Sequence, residues 1–270
     1  MSGADLDAAE LSGQAVPGDE PRAQSARTEA DAIETSPLYL PGPKQSAAEI
    51  VLFWLGAPIA IALYRVAYPD ARAPIIPMLL LGAIGGALLL WRDKTFDLGA
   101  FFDRKPLVRA LREILPRFVV LGTAMVGLLA LIHGFGDDAE ARLFRFPLER
   151  PGFWLMVMVA YPIVSVFAQG VIYRGVLLHR YRGVLGQGRA MLLAGAAIFA
   201  LAHVVMLNPV AVAITLVGGL LFVSTQLKHR SLLASGLEHA LYGCWAFTVG
   251  YGQFLYAGSR RVAETAGAGG

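Results

Sequence analysis

Cysteine is all but missing from this chain: Cys244 stands alone. A single thiol excludes an internal disulfide and a cysteine cage for zinc. Charge is scarce too. Asp, Glu, Lys and Arg make up 16% of the 270 residues, where soluble domains carry about 25%. Hydrophobic residues reach 56%. Together these exclude an ordinary water-soluble domain and point to a membrane protein. Further absences narrow the class. No basic start runs into an apolar middle, so no signal peptide is expected. No segment repeats with a period of 20–50 residues, and no pair of broken helices marks a transporter. No Gly-x-Ser-x-Gly elbow presents a serine nucleophile.

What is there is apolar and long. About twenty apolar residues cross a bilayer as a helix. Seven such runs are predicted, at roughly 50–68, 74–91, 118–135, 153–178, 191–207, 210–227 and 232–249. The aromatic stretch 251–256 either extends the seventh or lies at the interface, which leaves room for an eighth. The fold class expected is all-α, a polytopic membrane helical bundle. Residues 1–47 hold eight Asp/Glu and three Lys/Arg, a net of −5, which leaves +8 for the rest of a chain whose total is +3. Such a segment buries too little apolar surface to offset ordering entropy. The expected layout is a disordered acidic tail over 1–47, a helical membrane domain over 48–258 and a flexible tail over 259–270.

Lys and Arg gather between the second and third runs, after the fourth (Arg180, Arg182, Arg189) and after the sixth (Lys228, Arg230). Seven spans put these clusters on one side. The positive-inside rule makes that side cytoplasmic, together with the N-terminus. Arg260 and Arg261 then fall outside, against the rule. Leu107, Leu111, Ile114 and Leu115, with charges between them, predict either a short helix on the membrane surface or a plain basic connector.

Polar groups inside a span are costly and usually face a protein interior or a wet cavity. Gln169 and Arg174 interrupt the fourth run, and His203 and His239 lie in the fifth and seventh. Counting helical rise from the basic ends puts Gln169, His203 and His239 about 16, 21 and 12 Å deep, in a core about 30 Å thick. One shared pocket is therefore predicted. The bland alternatives are a packing role for each histidine and a snorkelling Arg174. His179 and His229 read as solvated loop residues. His133 closes the third run without further signal, and Gly218-Gly219 reads as a close helix contact.

These residues fall in a recognisable order. Gln169-Gly170-Val171-Ile172-Tyr173-Arg174-Gly175 resembles the Glu-Glu-x-x-x-Arg motif of the CPBP family, the CAAX-processing and bacteriocin-processing intramembrane proteases, also called the Abi family. Phe199-Ala200-Leu201-Ala202-His203 resembles its second motif, Phe-x-x-x-His, and His239-Ala240-Leu241-Tyr242-Gly243 its third, His-x-x-x-Asn. The resemblance covers roughly residues 150–256. It implies a catalytic set of Gln169, Arg174, His203 and His239, with Gly170, Phe199, Glu238 and Gly243 lining or supporting the pocket. It implies a water activated for attack on a peptide bond. The substrate would be a membrane-embedded or lipid-modified protein or peptide in the lipid bilayer of a bacterial inner membrane; nucleic acid has no part. A divalent metal such as zinc, if one takes part, would sit on His203 and His239.

The chain departs from the motif at three positions. Gln169 and Gly170 replace both glutamates, and Gly243 replaces the asparagine. An amide holds a water but cannot take its proton. Either a histidine has become the base, or the chain is an inactive member that binds partners or confers immunity. Gly170 would also deprive Arg174 of a carboxylate one turn away, and Glu238 on the seventh run is expected to pair with Arg174 instead. A Ser235–His239 pair and a Cys244 nucleophile are the remaining, weaker readings.

Overall fold

The computed structural model describes residues 41–70, 73–101, 103–133 and 143–255. All regular structure among them is helical. The long helices are α1 (Pro43–Ala67), α2 (Ile75–Arg92), α3 (Leu107–His133), α4 (Pro151–Arg180), α5 (Arg189–Met206), α6 (Pro209–His229) and α7 (Leu232–Val249). Six of them are long and apolar enough to cross a membrane. The exception is α7, whose bounds match the expected seventh run. Its buried Ser235, Glu238 and His239 dilute its hydropathy, because it turns toward neighbouring helices rather than lipid. The outer faces of the bundle carry exposed Val51, Leu81, Leu131 and Ile163, as a bilayer requires.

Two boundaries differ from the sequence reading. α1 begins at Pro43, inside the stretch expected to be tail. Proline at the first helical position costs no hydrogen bond. Leu107, Leu111, Ile114 and Leu115 belong to the third span itself rather than to a separate surface helix. α3 runs unbroken from Leu107 through Pro116, and Ala110 and Ile114 are fully buried against Ala234 of α7. The remainder of the two expected tails lies outside the described residues.

Tight turns set the helices that matter. Leu207 and Arg230 both take left-handed backbone conformations, φ 54° and 50°. Each precedes a capping side chain: Asn208 accepts from the Val210 N–H at 2.9 Å, and Ser231 accepts from the Ala234 N–H at 3.2 Å. Such caps satisfy orphan amides at a helix start. The two turns fold α5, α6 and α7 back on one another. Gly219 lets α6 approach α5, since a Cβ there would lie 3.0 Å from Ala196 Cα. The contact expected of Gly218-Gly219 is thus present.

The basic end is more ordered than a solvated loop. His179 Nε2 meets Asp93 Oδ2 at 2.8 Å, and Thr95 donates to Asp93 Oδ1 at 2.7 Å. Burial pushes the Asp93 carboxyl up, but the Thr95 bonds and His179 outweigh it and hold the group below the usual carboxylate range. His229 faces Glu113 at 3.5 Å. Neither histidine is the solvated residue expected, because the helix ends carrying them pack against α2 and α3. Arg180 and Tyr181 also bind Glu49, tying α1 to the end of α4.

Candidate active site

Helix α4 is not a regular α-helix where the first motif lies. Wide turns with i→i+5 hydrogen bonding run over Tyr161–Val166 and Gly170–Val176. Such turns are rare and cluster at functional sites. Between them Gln169 Nε2 donates to Ser165 Oγ at 2.8 Å, and Gln169 Oε1 is buried with no partner. A buried acceptor without a donor costs about 1–3 kcal/mol. Either assignment of the amide leaves one of its atoms unpaired.

Gln169, His203 and His239 line one cavity of about 310 Å3, together with Tyr161, Phe199 and Gly243. Its other walls are largely apolar and come from α3, α6 and the end of α7. Gly170, Arg174 and Glu238 stand outside its lining. No carboxylate is among the described residues around it.

The hydrogen bonds fix what each ring presents. His203 Nδ1 lies 2.9 Å from the Phe199 carbonyl. A carbonyl only accepts, so Nδ1 carries the proton and Nε2 keeps the lone pair. Arg174 Nη1 approaches His239 Nδ1 at 3.4 Å. Arginine only donates, so the His239 proton lies on Nε2, where it donates to the Tyr161 hydroxyl at 3.2 Å. The phenol proton of Tyr161 is then unspent. Phe222 stacks on His239 with centroids 4.4 Å apart, and Phe199 sets its edge against both histidines. The imidazoles are therefore framed by aromatic rings, which restrict their rotation.

Arg174 does not snorkel. It is 4% exposed, with its guanidinium 5.9 Å from the Phe222 ring centroid. Nor does it take Glu238 as a partner. Glu238 is fully buried where α7 meets α3 and α6: Arg117 of α3 forms its ion pair and Thr225 donates to it at 2.6 Å. Adjacent helix residues diverge, so Glu238 and His239 face different neighbours. Ser235 donates to Gln226 at 2.9 Å rather than engaging His239, and Cys244 lies against the Met158 carbonyl. Neither rival nucleophile has a base.

Tyr161, Ser165 and Arg117 were not singled out in the sequence. Tyr161 lies inside the fourth apolar run with nothing to mark it, and Arg117 stands among the basic residues between the second and third runs. The donor set does not fit zinc. Catalytic zinc usually keeps three protein ligands, and among the described residues no three His, Cys, Asp or Glu side chains gather. The guanidinium beside His239 would also repel a dication.

No curated protein and no solved structure matches this chain. Residues 151–245 match the family model described as Type II CAAX prenyl endopeptidase Rce1-like. That segment holds all three motifs and four of the helices around the cavity. Over that segment the chain is similar to Rce1-like CAAX prenyl endopeptidases, in agreement with the CPBP family that its motifs resemble.

Proposed function

We propose that this protein is an intramembrane endopeptidase of weakened activity, acting on a membrane-associated or lipid-modified protein. The supporting observation is the shared cavity, where polar side chains from three helices meet in an apolar hollow. His203 is the base. With Nδ1 committed to Phe199, its Nε2 takes a proton from water as the water oxygen attacks the peptide carbonyl carbon. It returns that proton to the leaving amine nitrogen as the C–N bond breaks. Gln169 holds the water through its unpaired amide atom but takes no proton. The Tyr161 hydroxyl, which accepts from His239 Nε2–H, donates its own free proton to the developing oxyanion, and Arg174 positions His239 from behind. The gathering of Lys and Arg at one end of the bundle supports a cytoplasmic N-terminus. The family resemblance supports a bacterial inner membrane.

One observation favours a second reading: no carboxylate is among the described lining residues. On that reading the chain holds a membrane partner without cutting it, as a binding or immunity protein. A prenylated fluorogenic CAAX peptide separates the two, offered to the purified protein in nanodiscs. Slow cleavage lost in His203→Ala supports the enzyme. Saturable binding without cleavage supports the binder, and cleavage that survives His203→Ala contradicts the assignment of the base.

A further inference from the structure

A second cavity, of about 230 Å3, lies between α4 and α7. Val166, Phe167 and Val171 form one wall, and Leu233, Leu237 and Ala240 the other. Arg174 is the only ionisable side chain among the described residues that line it. Arg174 stands between the two cavities, with Nη1 directed at His239 in the wall of the first.

Its remaining donors are idle. Nε and Nη2 are buried without a hydrogen-bond partner, an expensive state for a charged group. Among the described residues no carboxylate hydrogen-bonds to them. Glu238 is spent on Arg117 and Thr225. At position 170 a glycine leaves only backbone, and a Cβ there would lie 2.9 Å from Nη2. Nε and Nη2 form the side-on edge of the guanidinium, a planar fork matched to the two oxygens of a carboxylate. One arginine balances one carboxylate charge, whereas a phosphate dianion would be left with an excess. The apolar walls call for a hydrocarbon behind that carboxylate, and Phe167 at the rim is 52% exposed on the outer, lipid-facing surface.

We infer that this cavity binds the carboxylate of a single-chain amphiphile, a free fatty acid of the bilayer. The head sits on Arg174, and the chain runs between Phe167 and Leu237 into lipid. A short water-borne carboxylate offers the same head without the chain, so the test includes one.

The full chain, purified in detergent micelles, is titrated with radiolabelled palmitate, with hexadecanol and acetate as competitors. Two variants avoid removing Arg174. Gly236→Leu places a side chain into the cavity from a position whose Cβ has nothing within 4 Å. Gly170→Glu supplies an internal carboxylate to the same guanidinium. We expect saturable palmitate binding that hexadecanol does not displace, weakened about tenfold or more in each variant, as the loss of a charge-assisted pair requires. Unsaturable binding, equal displacement by hexadecanol, or unchanged affinity in both variants would overturn the inference. Acetate competing at palmitate concentrations would reassign the site to small carboxylates and overturn the amphiphile.

Discussion

The phenol of Tyr161 fills the space that a side chain at Gly243 would enter. A Cβ built on Gly243 would overlap both the Tyr161 ring and its hydroxyl. The motif asparagine at this position is absent, and Tyr161 reaches His239 Nε2 at 3.2 Å. Gly170 and Arg174 repeat the relationship, with the guanidinium folded over the glycine. At both glycines that stand in for motif polar residues, 170 and 243, a polar side chain of α4 occupies the room, so these positions are filled rather than void.

Restoring the asparagine should therefore harm the protein. Gly243→Asn forces Tyr161 out of a packed position, and overpacking of this kind costs about 1–3 kcal/mol. The expected result is a lower apparent melting temperature in detergent. Tyr161→Ala combined with Gly243→Asn should recover much of the loss, a non-additivity that marks direct contact. Additive losses would contradict the contact.

The Arg117–Glu238 pair locks α3 to α7 behind the cavity. Removing one partner of a buried pair strands the other charge, typically at about 3–5 kcal/mol. Arg117 is 29% exposed in its side chain, which favours the lower end. Arg117→Met alone should lower the melting temperature more than Arg117→Met with Glu238→Met. The double variant, losing more contacts yet ending more stable, is the diagnostic result; the reverse order contradicts a desolvated ion pair.

Acid should loosen the basic end. The Asp93 carboxyl has a folded pKa below its unfolded one, because hydrogen bonds from Thr95 and contact with His179 outweigh burial. Its contribution is full above the unfolded value, about 3.9, and is lost as pH falls through the folded value. Melting temperatures measured from pH 7 down to pH 3 should drop for the wild type in that acid range. The drop should be smaller for Asp93→Asn, whose stability is already reduced at pH 7. Parallel curves would remove Asp93 from the account.

The spans were legible because lipid demands length and apolarity together, and both are one-dimensional properties. The same logic exposed Gln169, His203 and His239, which stand out against apolar neighbours and do line one cavity. Hydropathy could not say which charges fold inward. Arg117 and His179 flank apolar runs, where the sequence looks the same whether a side chain reaches solvent or a buried carboxylate. The expectation that Glu238 pairs with Arg174 rests on the carboxylate missing at 170, and a missing partner does not say which neighbours Glu238 meets across α7. The filling of Gly170 and Gly243 was hidden for a related reason. It depends on a rotamer at 174 and on a ring brought across from 161, and the wide turns of α4 leave no periodic trace in the apolar run.

Position 169 offers the most direct test. Gln169→Glu keeps the size of the side chain and changes an amide that cannot take a proton into a carboxylate that can. Initial rates of prenylated-peptide cleavage would be compared for wild type and variant in identical nanodiscs, with matched melting profiles. A positioned base is worth about 10²–10⁴ in rate, and an increase of that order is expected if the cavity is a hydrolytic site lacking its carboxylate. A folded Gln169→Glu protein that cleaves no faster than the wild type would contradict it.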